Sequence, residues 1–81
     1  MRRPTHPGEI LREEFMKPLG YTQKSLAQKI GCDTKTIHDL VNEKIGVPDW
    51  LAYRLGEVFG TTDKLWINLH ESFKLWENRD Q

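Results

Sequence analysis

Thr34, Lys35, Thr36, His38, Asp39 and Asn42 crowd into nine consecutive residues, with Gln23 before them and Lys44 just after. Each of these side chains donates or accepts hydrogen bonds. Such a row is suited to reading a polar surface rather than to breaking a bond. The rest of the chain adds no catalytic set. Glu13 and Glu14 are adjacent, so they point to different sides of a helix. No Ser-His-Asp or Cys-His arrangement has a recognisable context, and no glycine-rich phosphate loop appears. His6, His38 and His70 are not spaced at i, i+3 or i, i+4, and the lone Cys32 does not complete a zinc site. These features predict a protein that is not an enzyme and uses neither metal nor cofactor.

The elements that must position the polar row are legible around it. Leu26, Ala27 and Ile30 line one face of a short helix, and Ile37, Leu40 and Val41 line one face of the next. Ala27 leaves room for a close crossing. Gly31 supplies a turn conformation that a side chain would resist, and Asp33 is placed to cap the second helix. Residues 22–42 therefore read as a helix-turn-helix, a unit that presents the exposed face of its second helix to a DNA major groove.

On that reading, Thr34 and Lys35 enter the groove deepest, Lys35 donating to guanine O6 and N7 and Thr34 meeting a base or a thymine methyl. Thr36 shares the outward face. His38 donates to a base acceptor or to phosphate, and Asn42 reads adenine or, near the helix end, a phosphate. Asp39 accepts from cytosine N4 or only holds Lys35 at i, i+4. Gln23, in the first turn of its helix, is either an ordinary exposed residue or, as the family resemblance given below implies, a phosphate contact. Lys44, Arg2 and Arg3 are either backbone contacts or solubilising charges, and a basic arm can also reach a minor groove.

The remaining chain reads as three more helices and no strands. The first runs from Pro7 to about Met16, stopped by Pro18 and Gly20, with Ile10, Leu11 and Phe15 inward and His6 tying the chain start to it. The second runs from a Thr22 cap to Ile30 and the third from about Thr34 to Asn42. The fourth opens at Pro48-Asp49, buries Leu51, Ala52, Leu55, Val58 and Phe59, and stops at Gly60. The fifth follows a Thr62 cap and runs to about Asn78 with a stripe of Leu65, Trp66, Leu69, Phe73 and Trp76. Residues 1–5 and 79–81 are expected to be loose.

The fold class is all-α, with residues 1–81 as a single domain and helices four and five (48–78) supplying core and dimer contact. Eighty-one residues are few for a self-sufficient core, which favours a homodimer. Trp50 and Tyr53, off the main stripe of helix four, are expected at the dimer interface with Ile67, Leu75 and Trp76.

Charge alone argues little for DNA: 12 basic and 12 acidic residues cancel. Residues 1–29 nevertheless carry six Lys/Arg against three Glu, where phosphate contacts are wanted, and residues 48–81 carry four against six. A single cysteine implies a reducing compartment. No apolar run has transmembrane length, and the polar start does not resemble a signal peptide. These point to a cytoplasmic protein.

Four stretches carry a family resemblance. His6-Pro7-Gly8-Glu9-Ile10-Leu11, continuing with Glu14, Pro18-Leu19-Gly20 and Thr22-Gln23, resembles the opening of HigA-type antitoxins, also called virulence-associated protein I. Ala52, Arg54, Leu55 and Phe59-Gly60-Thr61-Thr62 are similar to that family's fourth helix and turn, and Leu65-Trp66-Ile67-Asn68-Leu69 to its Phe-Trp-Leu-Asn-Leu stretch. The likeness covers about residues 6–76.

It implies a five-helix, cro/repressor-like fold of the XRE class. It also implies a homodimer that binds operator DNA at its own promoter and neutralises a small ribonuclease toxin of the HigB type that cleaves messenger RNA. Glu43 and Ile45 stand where relatives carry glycine and arginine, and an acidic side chain there repels phosphates. His70 stands where glutamine is usual. Two other readings are a solitary helix-turn-helix regulator without a toxin, and a toxin-binding module with weak DNA binding.

Overall fold

The computed structural model describes residues 3–78, and among these there are helices and turns but no strand. Helix α1 covers residues 7–19, α2 Gln23–Ile30, α3 Thr34–Val41, α4 Asp49–Phe59 and α5 Asp63–Asn78. Each starts where the sequence offers a start. His6 caps α1, its Nδ1 accepting the Gly8 N–H at 2.9 Å, with Pro7 in the first turn where its missing N–H is no loss. Thr22 and Ser25 cap α2 reciprocally. Thr62 Oγ1 accepts the Leu65 N–H at 3.3 Å at the head of α5.

Helix α1 does not stop near Met16. It passes through Pro18 to Leu19 and ends at Gly20, because its middle, Leu11–Met16, is a π-helical segment. There the Lys17 N–H bonds to the Arg12 carbonyl, five residues back. The widened turn relieves the clash a proline ring makes with the carbonyl four residues before it, and a shifting register tolerates its missing donor.

The core is built from Leu11, Leu26, Ile37, Leu40, Leu51, Leu55 and Trp66, all fully buried. Met16 and Val47 join it, although neither lies on a stripe read from the sequence. Ile10, Phe15, Val58, Phe59 and Leu69 pack against it half-buried. Leu65, expected on the α5 stripe, is 36% exposed. The inward position at the head of α5 is taken by its neighbour Trp66, which is fully buried. Trp66 is the joint between helices: its ring lies 5.2 Å from that of Phe15 on α1 and 6.5 Å from that of Phe59 on α4, and its Nε1–H donates to Thr61 Oγ1 at 3.1 Å.

The expected loose start does not extend to Arg3. Its guanidinium pairs with Glu43 and lies 4.9 Å over the Phe73 ring, a cation–π geometry. Arg2 and residues 79–81 lie outside the described residues.

Candidate nucleic-acid interface

Helices α2 and α3 form the helix-turn-helix. Gly31 ends α2 at φ +87°, and the Cys32 N–H returns to the Ala27 carbonyl at 3.0 Å. Ala27 and Ile30 on α2 and Ile37 on α3 are buried together in the core. Asp33 takes the N-cap position of α3, but its side chain makes no capping bond. It is exposed, and the Thr36 N–H bonds instead to the Asp33 backbone carbonyl at 3.1 Å.

With its apolar side buried, α3 turns Thr34, Lys35, His38 and Asn42 to solvent, with Thr36 and Asp39 half-buried at the edges. Lys35 Nζ donates to Asp39 Oδ2 at 2.8 Å. That hydrogen bond holds the Lys35 ammonium above its ordinary range and the Asp39 carboxyl below its own, so both stay charged near neutrality. The Lys35 side chain is nevertheless 82% exposed, free to swing toward a ligand.

Gln23, from the start of α2, comes up beside α3: its Oε1 lies 3.2 Å from His38 Nδ1. An amide oxygen only accepts, so the imidazole donates. Asn42 Nδ2 in turn donates to the His38 carbonyl at 2.8 Å. The fold thus assembles Gln23, His38 and Asn42 into one polar cluster beside the Lys35–Asp39 pair, with Lys44 exposed beyond.

The end of α3 is unusual. Lys44 N–H bonds to the Asp39 carbonyl at 2.8 Å and Glu43 N–H to the Leu40 carbonyl at 3.0 Å, the double closure of a Schellman turn. The residue in the left-handed position is Glu43, at φ +62°, whereas α1, α2 and α4 end on glycines with positive φ. Its carboxylate is bound by Arg3 and is not a bare charge facing the outward surface.

Placing a side chain in this region costs roughly 1–2 kcal/mol, while a half-exposed ion pair returns about 0–1 kcal/mol. Glu43→Gly is therefore expected to stabilise the fold by about 0.5–1 kcal/mol net. Urea denaturation would show it as a raised midpoint, and a lowered midpoint would mean that the Arg3 pair outweighs the backbone strain.

Three contacts that steady α3 were not legible locally. Arg12 Nη1 on α1 donates to the Val41 carbonyl at 2.7 Å, satisfying an orphan acceptor at the end of α3. Gly8 packs so closely on α3 that a Cβ there would overlap the Leu40 carbonyl. His70 on α5 accepts the Val47 N–H at 3.1 Å. Each joins residues 23 to 32 positions apart, a separation no local pattern encodes.

The residues expected at a dimer contact divide by burial. Trp50, Tyr53 and Leu75 are 51%, 59% and 73% exposed, whereas Ile67 and Trp76 are half-buried, Ile67 against the core. Tyr53 lines a groove with Gly56, Glu57 and residues 61–63, and Leu75 a separate hollow with Glu71, Lys74 and Asn78. Among the described residues no cluster of His, Cys, Asp and Glu is arranged to hold a metal ion. No helix among them is long and apolar enough to cross a membrane.

No family model matches the chain. Antitoxin HigA-1 of Vibrio cholerae is 34% identical over 80 residues, covering 99% of this chain and 75% of that protein. The solved structure of antitoxin GraA in complex with its operator is 42% identical, with a TM-score of 0.91 over 100% of this chain and 81% of that one. Pseudomonas aeruginosa antitoxin HigA with the higBA promoter is 37% identical, with a TM-score of 0.91 over 93% of this chain and 82% of that one. Sequence identity at this level over nearly the whole chain, on the same five-helix frame, makes the chain a member of the HigA-type antitoxin family of helix-turn-helix proteins.

Proposed function

We propose that this protein is the antitoxin of a type II toxin–antitoxin pair, a dimeric repressor that binds operator DNA at its own promoter through α3 and neutralises a small ribonuclease toxin of the HigB type. The observation that carries the DNA half is the polar face of α3, with Gln23 drawn in from α2, on a frame whose relatives were solved on operator and promoter DNA. Lys35 reads a base, Thr34, Thr36, His38 and Asp39 line the groove, and Gln23, Asn42 and Lys44 position the helix on phosphates. The protein acts by binding and is not an enzyme. The antitoxin half rests on family membership alone.

Dimerisation doubles the few contacts a neutral monomer can offer, and two α3 helices about 34 Å apart read half-sites one turn apart. Trp50, Tyr53 and Leu75, with Trp76 and Ile67 behind, form the dimer contact. Sedimentation at micromolar concentration tests it, and a monomer would refute that assignment.

Anisotropy on the chain's own promoter fragment, with scrambled DNA as competitor, tests operator recognition. Preference for the promoter supports the reading, and equal binding to both refutes it. Lys35→Ala is expected to weaken the promoter complex by about 1–3 kcal/mol and to relax base preference at one position of each half-site. Equal weakening on every sequence would reassign Lys35 to phosphate.

A further inference from the structure

The segment that leads away from α3, residues 42–47, is held at its far end by His70, while His6 fixes the head of the helix packed against α3. Before it, His6 is only 4% exposed and its Nδ1 accepts the Gly8 N–H at 2.9 Å. That bond fixes the head of α1, where Gly8 lies against the Leu40 carbonyl too closely for any side chain. After it, His70 Nδ1 accepts the Val47 N–H at 3.1 Å, and the ring lies on Gly46 so closely that a Cβ there would overlap it. Val47 is 2% exposed, so its N–H has no ready substitute in water. Both rings line one cavity of about 200 Å³, together with Glu43, Lys44, Phe73, Lys74 and Glu77. Phe73 packs edge-on against His6 at 4.7 Å.

Both bonds run in the same chemical sense. A histidine that accepts a backbone N–H through Nδ1 must be neutral, with its proton on Nε2. Protonation places a hydrogen on Nδ1, facing the amide hydrogen, and the acceptor is lost. We propose that His6 and His70 are positioning residues for α3, and that acidification releases residues 42–47 and thereby weakens operator binding. The operator clause rests on the function proposed above, whereas the release itself does not.

The charges around the cavity bear on this in both directions. For His6, burial acts first and lowers its pKa. Glu43 and Glu77 oppose that shift, while Arg3 and His70 add to it. Around the His70 ring stand Glu43 and Lys44 from the exit segment, Lys74 and Glu77 from α5, and His6 from the head of α1.

A histidine whose pKa lies lower in the fold than in the open chain binds fewer protons when folded. It supports the fold above its ordinary value of 6.5, and that support is lost as the pH falls through the lower folded value. The direction matches release on acidification. His38, on the DNA-facing surface, acts the other way, since a cationic imidazole there attracts phosphate.

The test compares the full chain with the double variant His6→Asn/His70→Gln. Asparagine remains a good N-cap, and both amide oxygens accept an N–H without titrating. His38 is retained in both proteins, so its contribution cancels. As the pH falls from about 7.5 through the lowered folded pKa of His6, the unmodified chain is expected to lose melting temperature and about tenfold in promoter affinity, beyond any change in the variant, as the imidazole acceptors are lost. At the upper pH both should bind equally.

Equal acid sensitivity in the two proteins would overturn the proposal. Should the variant not fold, nitrogen NMR of the unmodified chain decides. Both imidazoles must carry the proton on Nε2 at the upper pH, and the Gly8 and Val47 amide shifts must follow their titration. A proton on Nδ1 there would refute it. Absence of promoter preference at the upper pH would refute the operator clause, and the melting and NMR results would still decide the release.

Discussion

Promoter affinity is expected to fall about 10⁴-fold as monovalent salt rises from about 50 to 200 mM, since about eight phosphate contacts in the proposed dimer give a slope near −7. The chain has no net charge to spread a long-range attraction, so this dependence must come from few, local contacts. Gln23, Asn42 and Lys44 sit at the ends of α2 and α3, and under the proposed function they are the phosphate contacts. Glu43, among them, is held by Arg3 and so subtracts little. Anisotropy titrations at four or five salt concentrations measure the slope. A slope near −2 would mean that few phosphates are neutralised and would favour a module whose main task is to bind a protein.

The second large effect is on the fold itself. Trp66→Ala is expected to destabilise the protein by about 3–5 kcal/mol, the usual range for emptying a large aromatic site. A domain of this size holds about 4–12 kcal/mol in total, so the variant should be largely unfolded or close to it. The site is poorly able to collapse. Trp66 is fully buried, meets Phe15 and Phe59 from two other helices, and satisfies Thr61 through its indole N–H. Trp66→Phe keeps one aromatic ring but loses the bond to Thr61 and the rest of the indole, and should cost about 1–3 kcal/mol, less than the alanine variant. Denaturant melts of both variants check the order. A loss below about 1 kcal/mol for the alanine variant would mean that neighbouring rings refill the space.

The family frame was readable because its signals are local. Periodic apolar positions marked α2 to α5, Thr22 and Thr62 marked starts, and Gly31 and Gly60 marked stops, each a decision made within one or two turns of chain. Where the reading failed, the deciding force came from elsewhere. Pro18 reads as a stop because its effect on a regular helix is local, but the π-helical turn before it changes the helix it acts on. Asp33 had the right type and place for a cap, yet its side chain makes no capping bond and its backbone carbonyl takes the Thr36 N–H. Leu65 is 36% exposed beside the fully buried Trp66, which the rings of Phe15 and Phe59 on two other helices receive.

What the sequence by itself determined was which residues form helices, which faces are apolar and which side chains are left to read a partner. Those depend on spacing, and spacing is written along one dimension. Only the tertiary structure decided that Gln23 meets His38, that Arg12 closes the end of α3 on Val41, that Arg3 reaches Glu43, that His70 holds Val47 in the exit segment, and that the Gly8 turn fixed by His6 lies against α3. The physical reason is that these groups, apart from His6 and its neighbour Gly8, are 15 to 40 residues apart in the chain. They are brought together by burial of the shared core rather than by any preference of their own.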